Sequence, residues 1–147
     1  MVEKLSRVPN VLLVGICTIL GFAIFLTINL LIFRNLPISE FGILKYEFAW
    51  SVEKVQLIFA DWGIQGMEAQ AAGVWWDFLY IIGYSLCIGG CILLVTRMNE
   101  GRIHTIGLYV TLTPFLAGLL DVIENIFLLK SSNQRIRIMD GFFRSMM

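Results

Sequence analysis

The stretch that decides the fold is residues 103–130, IHTIGLYVTLTPFLAGLLDVIENIFLLK. It is long and apolar enough to cross a bilayer, which takes about 20 apolar residues in a helix. Near its end it carries Asp121, Glu124 and Asn125. Carboxyl groups inside hydrocarbon are costly, so they need a structural or functional reason. The stretch therefore predicts a membrane-spanning helix with a polar site inside it.

The composition of the whole chain favours a membrane protein. Of its 147 residues, 58% are hydrophobic and only 15% are charged, and the mean hydropathy is +0.80. Soluble domains are about 45–50% apolar. The 11 Lys and Arg balance the 11 Asp and Glu, so the charge does not indicate nucleic acid as a partner. Cys17, Cys87 and Cys91 lie in apolar runs, which suits helix packing better than a disulfide or zinc site.

Two further apolar stretches are long enough to span a bilayer. We predict an all-α integral membrane protein, a bundle of three transmembrane helices over about residues 11–33, 74–96 and 105–129. Asn29 is the strongly polar residue of the first stretch, and we expect it to hydrogen-bond a neighbouring helix. Pro114 removes a backbone donor inside the third stretch, so we expect a mild kink there, with nearby threonines satisfying backbone groups.

A fourth segment, residues 40–62, has a different pattern. Apolar side chains recur on one helical face and charged ones on another, which predicts an amphipathic helix lying in the membrane interface. Residues 63–73 are small and polar and are expected to form a connector. Residues 131–147 are expected to form a basic, aromatic tail at the membrane surface. All of these segments belong to a single membrane domain, residues 1–147.

The distribution of Lys and Arg predicts the orientation in the membrane. With three spans, one side carries Lys4, Arg7, Arg97 and Arg102. The other carries Arg34, Lys45, Lys54, Lys130, Arg135, Arg137 and Arg144. Since basic residues favour the cytoplasm, the C-terminus is expected to be cytoplasmic, in a multi-pass protein of the cell inner or plasma membrane. The charges around the first span alone, Lys4 and Arg7 before it and Arg34 after it, favour the opposite orientation. If residues 40–62 also crossed the bilayer, both termini would be cytoplasmic.

Polar side chains of the second and third spans are expected to meet at one depth. An antiparallel pair with its turn near residue 100 places Asp77 level with about Glu124, and Tyr80 level with about Asp121. The helix over residues 40–62 would cover this end of the bundle. The predicted ligand-binding cluster comprises Asp77, Tyr80, Tyr84, Asp121, Glu124 and Asn125, with Glu53 and Trp76 as further contributors.

Four interpretations of this cluster stay open. It can be a hydrogen-bonded network that fixes the packing of the helices, with one carboxyl group protonated. It can be a pocket for a lipid headgroup or a small amphiphile. It can be the centre of a lipid-modifying or isomerase-like enzyme in which Asp77, Asp121 or Glu124 donates and accepts protons. It can also bind a cation, for which oxygen ligands favour Mg, Mn or Ca, or move protons.

The sequence contains none of the common motifs of soluble enzymes, such as a phosphate-binding glycine loop, HExxH or a nucleophile elbow. No cofactor and no metal site is predicted, and His104 lies at the opposite end from the carboxyl groups. We therefore predict a binding or interaction module. Its expected partners are the lipid bilayer, a lipid or small amphiphile, and another membrane protein or a second copy of the chain through Gly83, Gly89 and Gly90.

Several short motifs resemble those of a group of small polytopic microbial membrane proteins that are mostly uncharacterised. They are Phe48-x-x-Ser51-x-Glu53, Trp62-Gly63, Asp77-Phe78-Leu79-Tyr80 and Ala117-Gly118-Leu119-Leu120-Asp121-x-x-Glu124-Asn125. The most specific is the Asp-x-x-Glu-Asn box. The resemblance implies a membrane helix bundle and no established activity. A looser similarity, to the emopamil-binding and sigma-2 type sterol-isomerase bundles, implies acidic residues in a membrane pocket by analogy.

Overall fold

The computed structural model describes residues 9–32, residue 48 and residues 51–146, with only the backbone described at residue 52 and residues 132–146. This part of the chain is helical and contains no β-strand. Helix α1 is Val11–Thr27 and continues into a π-helical turn, Ile28–Ile32. The other helices are α2 (Val52–Arg97), α3 (Gly101–Val110) and α4 (Thr113–Met146).

Three helical stretches are long and apolar enough to cross a membrane: Val11–Ile32, Glu53–Arg97 and Gly101–Ser131. The predicted all-α architecture with three such helices is therefore confirmed. Large apolar side chains remain exposed along these stretches, for example Leu12 on α1 and Leu120 on α4. Apolar surface of this kind is suited to hydrocarbon, since lipid tails are as apolar as leucine.

The helix expected over residues 40–62 is not continuous. Ser51 has an extended backbone (φ −131°, ψ 145°), and the described helix begins at Val52. The reason is a helix N-cap: the Ser51 hydroxyl accepts a hydrogen bond of 3.3 Å from the Lys54 N–H, which satisfies one free donor of the first turn. The remaining residues of the predicted helix, except residue 48, lie outside the described part.

The expected connector over residues 63–73 is wrong, because the chain is helical from residue 64 to Arg97. This segment is rich in good helix formers, including Met67, Glu68 and three alanines. The interruption lies at Gly63 alone, whose backbone (φ 60°, ψ −168°) is essentially restricted to glycine. Gly63 thus separates residues 52–62 from the rest of α2.

Residues 52–62 pack back against the bundle. Ile58, Phe59 and Trp62 form a buried cluster with Met67 of the following segment, and Leu128 of α4 packs against this cluster. Met67 is completely buried. Since Leu128 lies one turn beyond Asn125, the segment covers the end of the bundle at which the predicted polar cluster lies. Glu53, Lys54 and Leu57 on its other side are exposed.

The turn between α2 and α3 lies near residue 100 and is short, since only Met98–Glu100 separates the helices. The third candidate span, Gly101–Ser131, is interrupted at residues 111–112, next to Pro114. Proline withholds the N–H that the Val110 carbonyl would otherwise accept. The Thr113 hydroxyl donates a hydrogen bond of 2.8 Å to this carbonyl instead. The helix then continues past the expected end at residue 129, to Met146.

Small residues allow α1 and α2 to pack closely. A Cβ on Gly21 would lie 2.7 Å from the backbone oxygen of Gly83, so neither position has room for a side chain. Gly90 lies against Thr18 of α1, and Gly89 against the ring of Phe115 on α4. Close contact at small residues is the usual way in which helices associate in lipid. The glycines considered for contact with a second copy are therefore covered within the chain.

Candidate functional site

Two hydrogen bonds join α2 and α4 through the predicted polar cluster. The Tyr84 hydroxyl donates to the Oδ2 atom of Asp121. The Asn125 amide donates to the Oδ2 atom of Asp77 across 2.7 Å. Asp121 and Asn125 are four residues apart and lie on one face of α4, while Asp77 and Tyr84 are seven residues, or two turns, apart on α2. The antiparallel helices therefore bring the two members of each bonded pair to a similar depth, with the Tyr84–Asp121 pair deeper along the helices than the Asp77–Asn125 pair.

Helix α1 adds an amide to this arrangement. The Asn29 side chain donates a hydrogen bond of 3.2 Å to the Tyr80 hydroxyl, so its expected bond to a neighbouring helix is confirmed. The Tyr80 ring stacks on Phe25 at a centroid distance of 5.1 Å and meets the Tyr84 ring edge-on at 5.8 Å. Polar side chains thus connect all three candidate membrane-spanning stretches.

Asn29 lies in the π-helical turn Ile28–Ile32. Such turns are rare and occur frequently at functional sites. Asn29 was absent from the predicted cluster, although a single amide in an otherwise apolar run was a signal for it. What the sequence could not show is that Asn29 would reach Tyr80, since that depends on how α1 packs on α2.

Small residues set the distance between α2 and α4 beside the cluster. A Cβ on Gly118 would lie 2.7 Å from the Ser85 hydroxyl and 3.4 Å from that of Tyr84. The buried Ser85 hydroxyl donates a hydrogen bond of 3.2 Å to the Pro114 carbonyl. Glycine at residue 118 therefore keeps the helices close enough for Tyr84 to reach Asp121.

Three of the proposed members do not join these contacts. Glu124, Glu53 and Trp76 are exposed, with Trp76 at 44%. For Glu124 the reason is helix geometry, because a step of 100° per residue turns it about 80° away from the face shared by Asp121 and Asn125. The structure thus groups Asp77, Tyr84, Asp121 and Asn125 through hydrogen bonds, with Tyr80 in ring contact.

The chemistry of the cluster follows from its donors. Within the described part of the chain, each of Asp77 and Asp121 accepts one hydrogen bond, from an amide and a phenol respectively. Both donors are neutral, and an ionised carboxylate has about four acceptor positions. Asp77, Tyr80, Tyr84 and Asp121 are only half-buried, whereas Asn125 is buried. The two carboxyl groups can therefore accept further hydrogen bonds from a group that reaches the exposed side of the cluster.

The described residues do not form a group of three or more His, Cys, Asp or Glu side chains that could hold a metal ion. This geometry gives no support to the interpretation as a divalent-cation site. His104 lies in α3, toward the opposite end of the bundle.

Comparison of the chain with models of protein families, with curated proteins and with solved structures gives no match. The resemblance to small polytopic microbial membrane proteins thus rests on the short motifs alone. The function of the protein is argued below from the geometry of the cluster.

Proposed function

We propose that the protein is a multi-pass protein of the cell inner or plasma membrane, with its C-terminus in the cytoplasm. Three apolar helices of sufficient length support the spans, and the balance of Lys and Arg supports the orientation. Residues 52–62 bury one face and expose Glu53, Lys54 and Asp61 on the other. This shorter segment takes the place of the interfacial helix expected over residues 40–62, and it lies at the cytoplasmic surface.

Within this membrane protein, the cluster around Asp77 and Asp121 binds the head of an amphiphile whose tail lies in the surrounding hydrocarbon. The observation that carries this proposal is the pair of half-buried carboxyl groups, bonded to neutral donors, on two adjacent candidate spans. Asp121 lies nine residues before Lys130, or about 14 Å along the helix. At that depth water is scarce, so a ligand that supplies donors would replace it.

The chemistry favours a protonated amine as the head. An ammonium group has hydrogen-bond donors and a positive charge, which carboxyl groups in a low dielectric need as a partner. The Tyr84 hydroxyl bonds Asp121, and the Tyr84 ring is in contact with that of Tyr80, which stacks on Phe25. Aromatic faces attract ammonium groups, most strongly where water is excluded. A headgroup that carries only acceptors supplies no donor to the remaining acceptor positions of Asp77 and Asp121.

The proposal is tested by the thermal stability of the purified protein in detergent. The added amphiphiles are a primary amine, an alcohol and a carboxylic acid of one chain length. At one hundred times Kd, a ligand of the folded state stabilises by about 2.7 kcal/mol. For a chain of this size we expect the amine to raise Tm by roughly 5–10 °C. The alcohol and the acid should have much smaller effects.

Variants locate the binding. Asp77→Asn and Asp121→Asn should abolish the response to the amine, because the ammonium then loses its charge partner. Glu100→Gln is the matched control, since Glu100 is an exposed carboxylate in the α2–α3 turn that makes no helix-capping hydrogen bond with its side chain. The proposal fails if Asp121→Asn keeps the full response. It also fails if the double variant Asp77→Asn/Asp121→Asn has a lower Tm and no added amphiphile raises the Tm of the wild type. The carboxyl groups would then be purely structural.

A further inference from the structure

A groove lies between α2 and α3, toward the opposite end of the bundle from the cluster around Asp77. It has a volume of about 450 Å³. Its lining side chains include Cys91, Val95 and Asn99 of α2 and Ile103, Ile106 and Val110 of α3. Val95, Ile103 and Ile106 are each at least 60% exposed, so the groove opens to the surroundings of the bundle.

The groove has an apolar interior and a polar outer end. Both of its walls belong to stretches that are long and apolar enough to cross a membrane. From Asn99 to Cys91 it follows eight residues of helix, or about 12 Å measured inward from the turn. Such a shape suits a single extended hydrocarbon chain with a polar group at the end where Asn99 and the turn lie.

The charges at the outer end favour an anionic group. The residues around the turn include Arg97, Arg102 and His104, with Glu100 as the acidic residue. Two arginines against one glutamate leave a net positive charge. Arg102 is exposed and directly precedes Ile103 of the groove. Because arginine binds phosphate oxygens in a bidentate fork, a phosphate at the membrane surface is a suitable partner for it.

We infer that this groove binds an anionic phospholipid. One acyl chain lies between α2 and α3, from Ile103 inward to Cys91, and the phosphate lies beside Arg102. A zwitterionic lipid fits the apolar groove equally well, but it lacks the net charge that complements the turn. The inference does not depend on the proposed amine site, which uses other residues toward the other end of the bundle.

The first experiment measures lipid binding to the delipidated wild-type protein by native mass spectrometry. Phosphatidylglycerol is compared with phosphatidylcholine of the same acyl chains. A basic residue near the membrane surface contributes enough for about fivefold tighter binding of the anionic lipid. Arg102→Gln should reduce this preference to near one. Equal binding of the two lipids by the wild type would overturn the inference.

A groove-filling variant tests the acyl chain. Val95→Trp should weaken the binding of both lipids, whereas Ile19→Trp should not. Ile19 is 70% exposed on α1 and outside the groove, so it controls for the added bulk. Equal effects of the two variants would contradict the inference. The inference would also be contradicted if the wild type formed dimers and Val95→Trp dissociated them, since the groove would then hold a second copy of the chain.

A second experiment uses only the wild-type protein, so its result does not depend on whether the variants fold. Phosphatidylglycerol with a photoreactive group near the end of its acyl chain is cross-linked to the protein and the adducts are mapped. We expect adducts concentrated on residues 91–99 and 103–110. Adducts spread evenly over the exposed apolar faces of α1 and α4 would show ordinary surrounding lipid and overturn the inference.

Discussion

The contact between Gly21 of α1 and Gly83 of α2 makes a sharp prediction about stability. A Cβ on Gly21 would lie 2.7 Å from both the Cys87 nitrogen and the Gly83 oxygen. Both are backbone atoms of a helix and cannot move separately. We therefore expect Gly21→Ala to push the two helices apart, although alanine is the smallest side chain that can be added.

The magnitude follows from the geometry. Ordinary contacts of a Cβ begin at 3.4 Å, so the helices must separate by about 0.7 Å at this point. Inserting atoms into a well-packed interior costs roughly 1–3 kcal/mol. The alanine also favours the helix by about 1 kcal/mol. A control on the same helix removes this second contribution: a Cβ on Gly15 has no atom within 4 Å.

The assay is equilibrium unfolding by sodium dodecyl sulfate in mixed micelles, followed by tryptophan fluorescence. We expect Gly21→Ala to be less stable than Gly15→Ala by about 1–3 kcal/mol. The separation should also weaken the bond from Asn29 to Tyr80, so that Tyr80→Phe costs less in the Gly21→Ala background. Equal stability of the two alanine variants would refute the close packing of α1 on α2.

Two further predictions concern single groups. Tyr84→Phe leaves Asp121 without its phenol donor and should lower the free energy of unfolding by about 0.6–1.7 kcal/mol. The control is Tyr109→Phe, which should change this free energy little because Tyr109 is 61% exposed. Equal losses of stability in the two variants would argue against the hydrogen bond from Tyr84 to Asp121. Gly63→Ala should cost about 1–3 kcal/mol through its backbone conformation alone, because no atom lies within 4 Å of the added Cβ. The same unfolding assay measures this cost. If Gly63→Ala lowers the free energy of unfolding no more than Gly15→Ala does, the backbone conformation at residue 63 does not require glycine.

Much of the local structure could be predicted from the sequence. Long apolar runs require helices in lipid, because every backbone group must be bonded within its own segment. The interruption near Pro114 follows from the missing donor, and the seven- and four-residue spacings predict which side chains share a face. The connector over residues 63–73 was wrong because small and polar residues were taken as a break, although most of them form helices well.

Which polar groups meet was only partly predictable. Counting from the turn placed Asp77 level with about Glu124 and Tyr80 level with about Asp121. In the structure Asn125 bonds Asp77 and Tyr84 bonds Asp121, because counting could fix neither the rotation about the helix axes nor the exact register. Glu124 is exposed for this reason, although it lies between Asp121 and Asn125 in the sequence. Asn29 joins the polar cluster because α1 packs on α2. The spacing of residues within α2 and α4 could not predict this contact.

The sequence by itself determined the helices, their apolar surfaces and the presence of costly carboxyl groups among them, since these follow from composition and periodicity. Only the tertiary structure decided the partners of each carboxyl group, the covering of Gly83, Gly89 and Gly90 within the chain, and the groove between α2 and α3. The physical reason is that helices in lipid associate through short-range packing and hydrogen bonds. Such contacts depend on the rotation and separation of helices to within about an ångström. The apolar pattern of the sequence does not distinguish the helix faces that pack together from those that stay exposed.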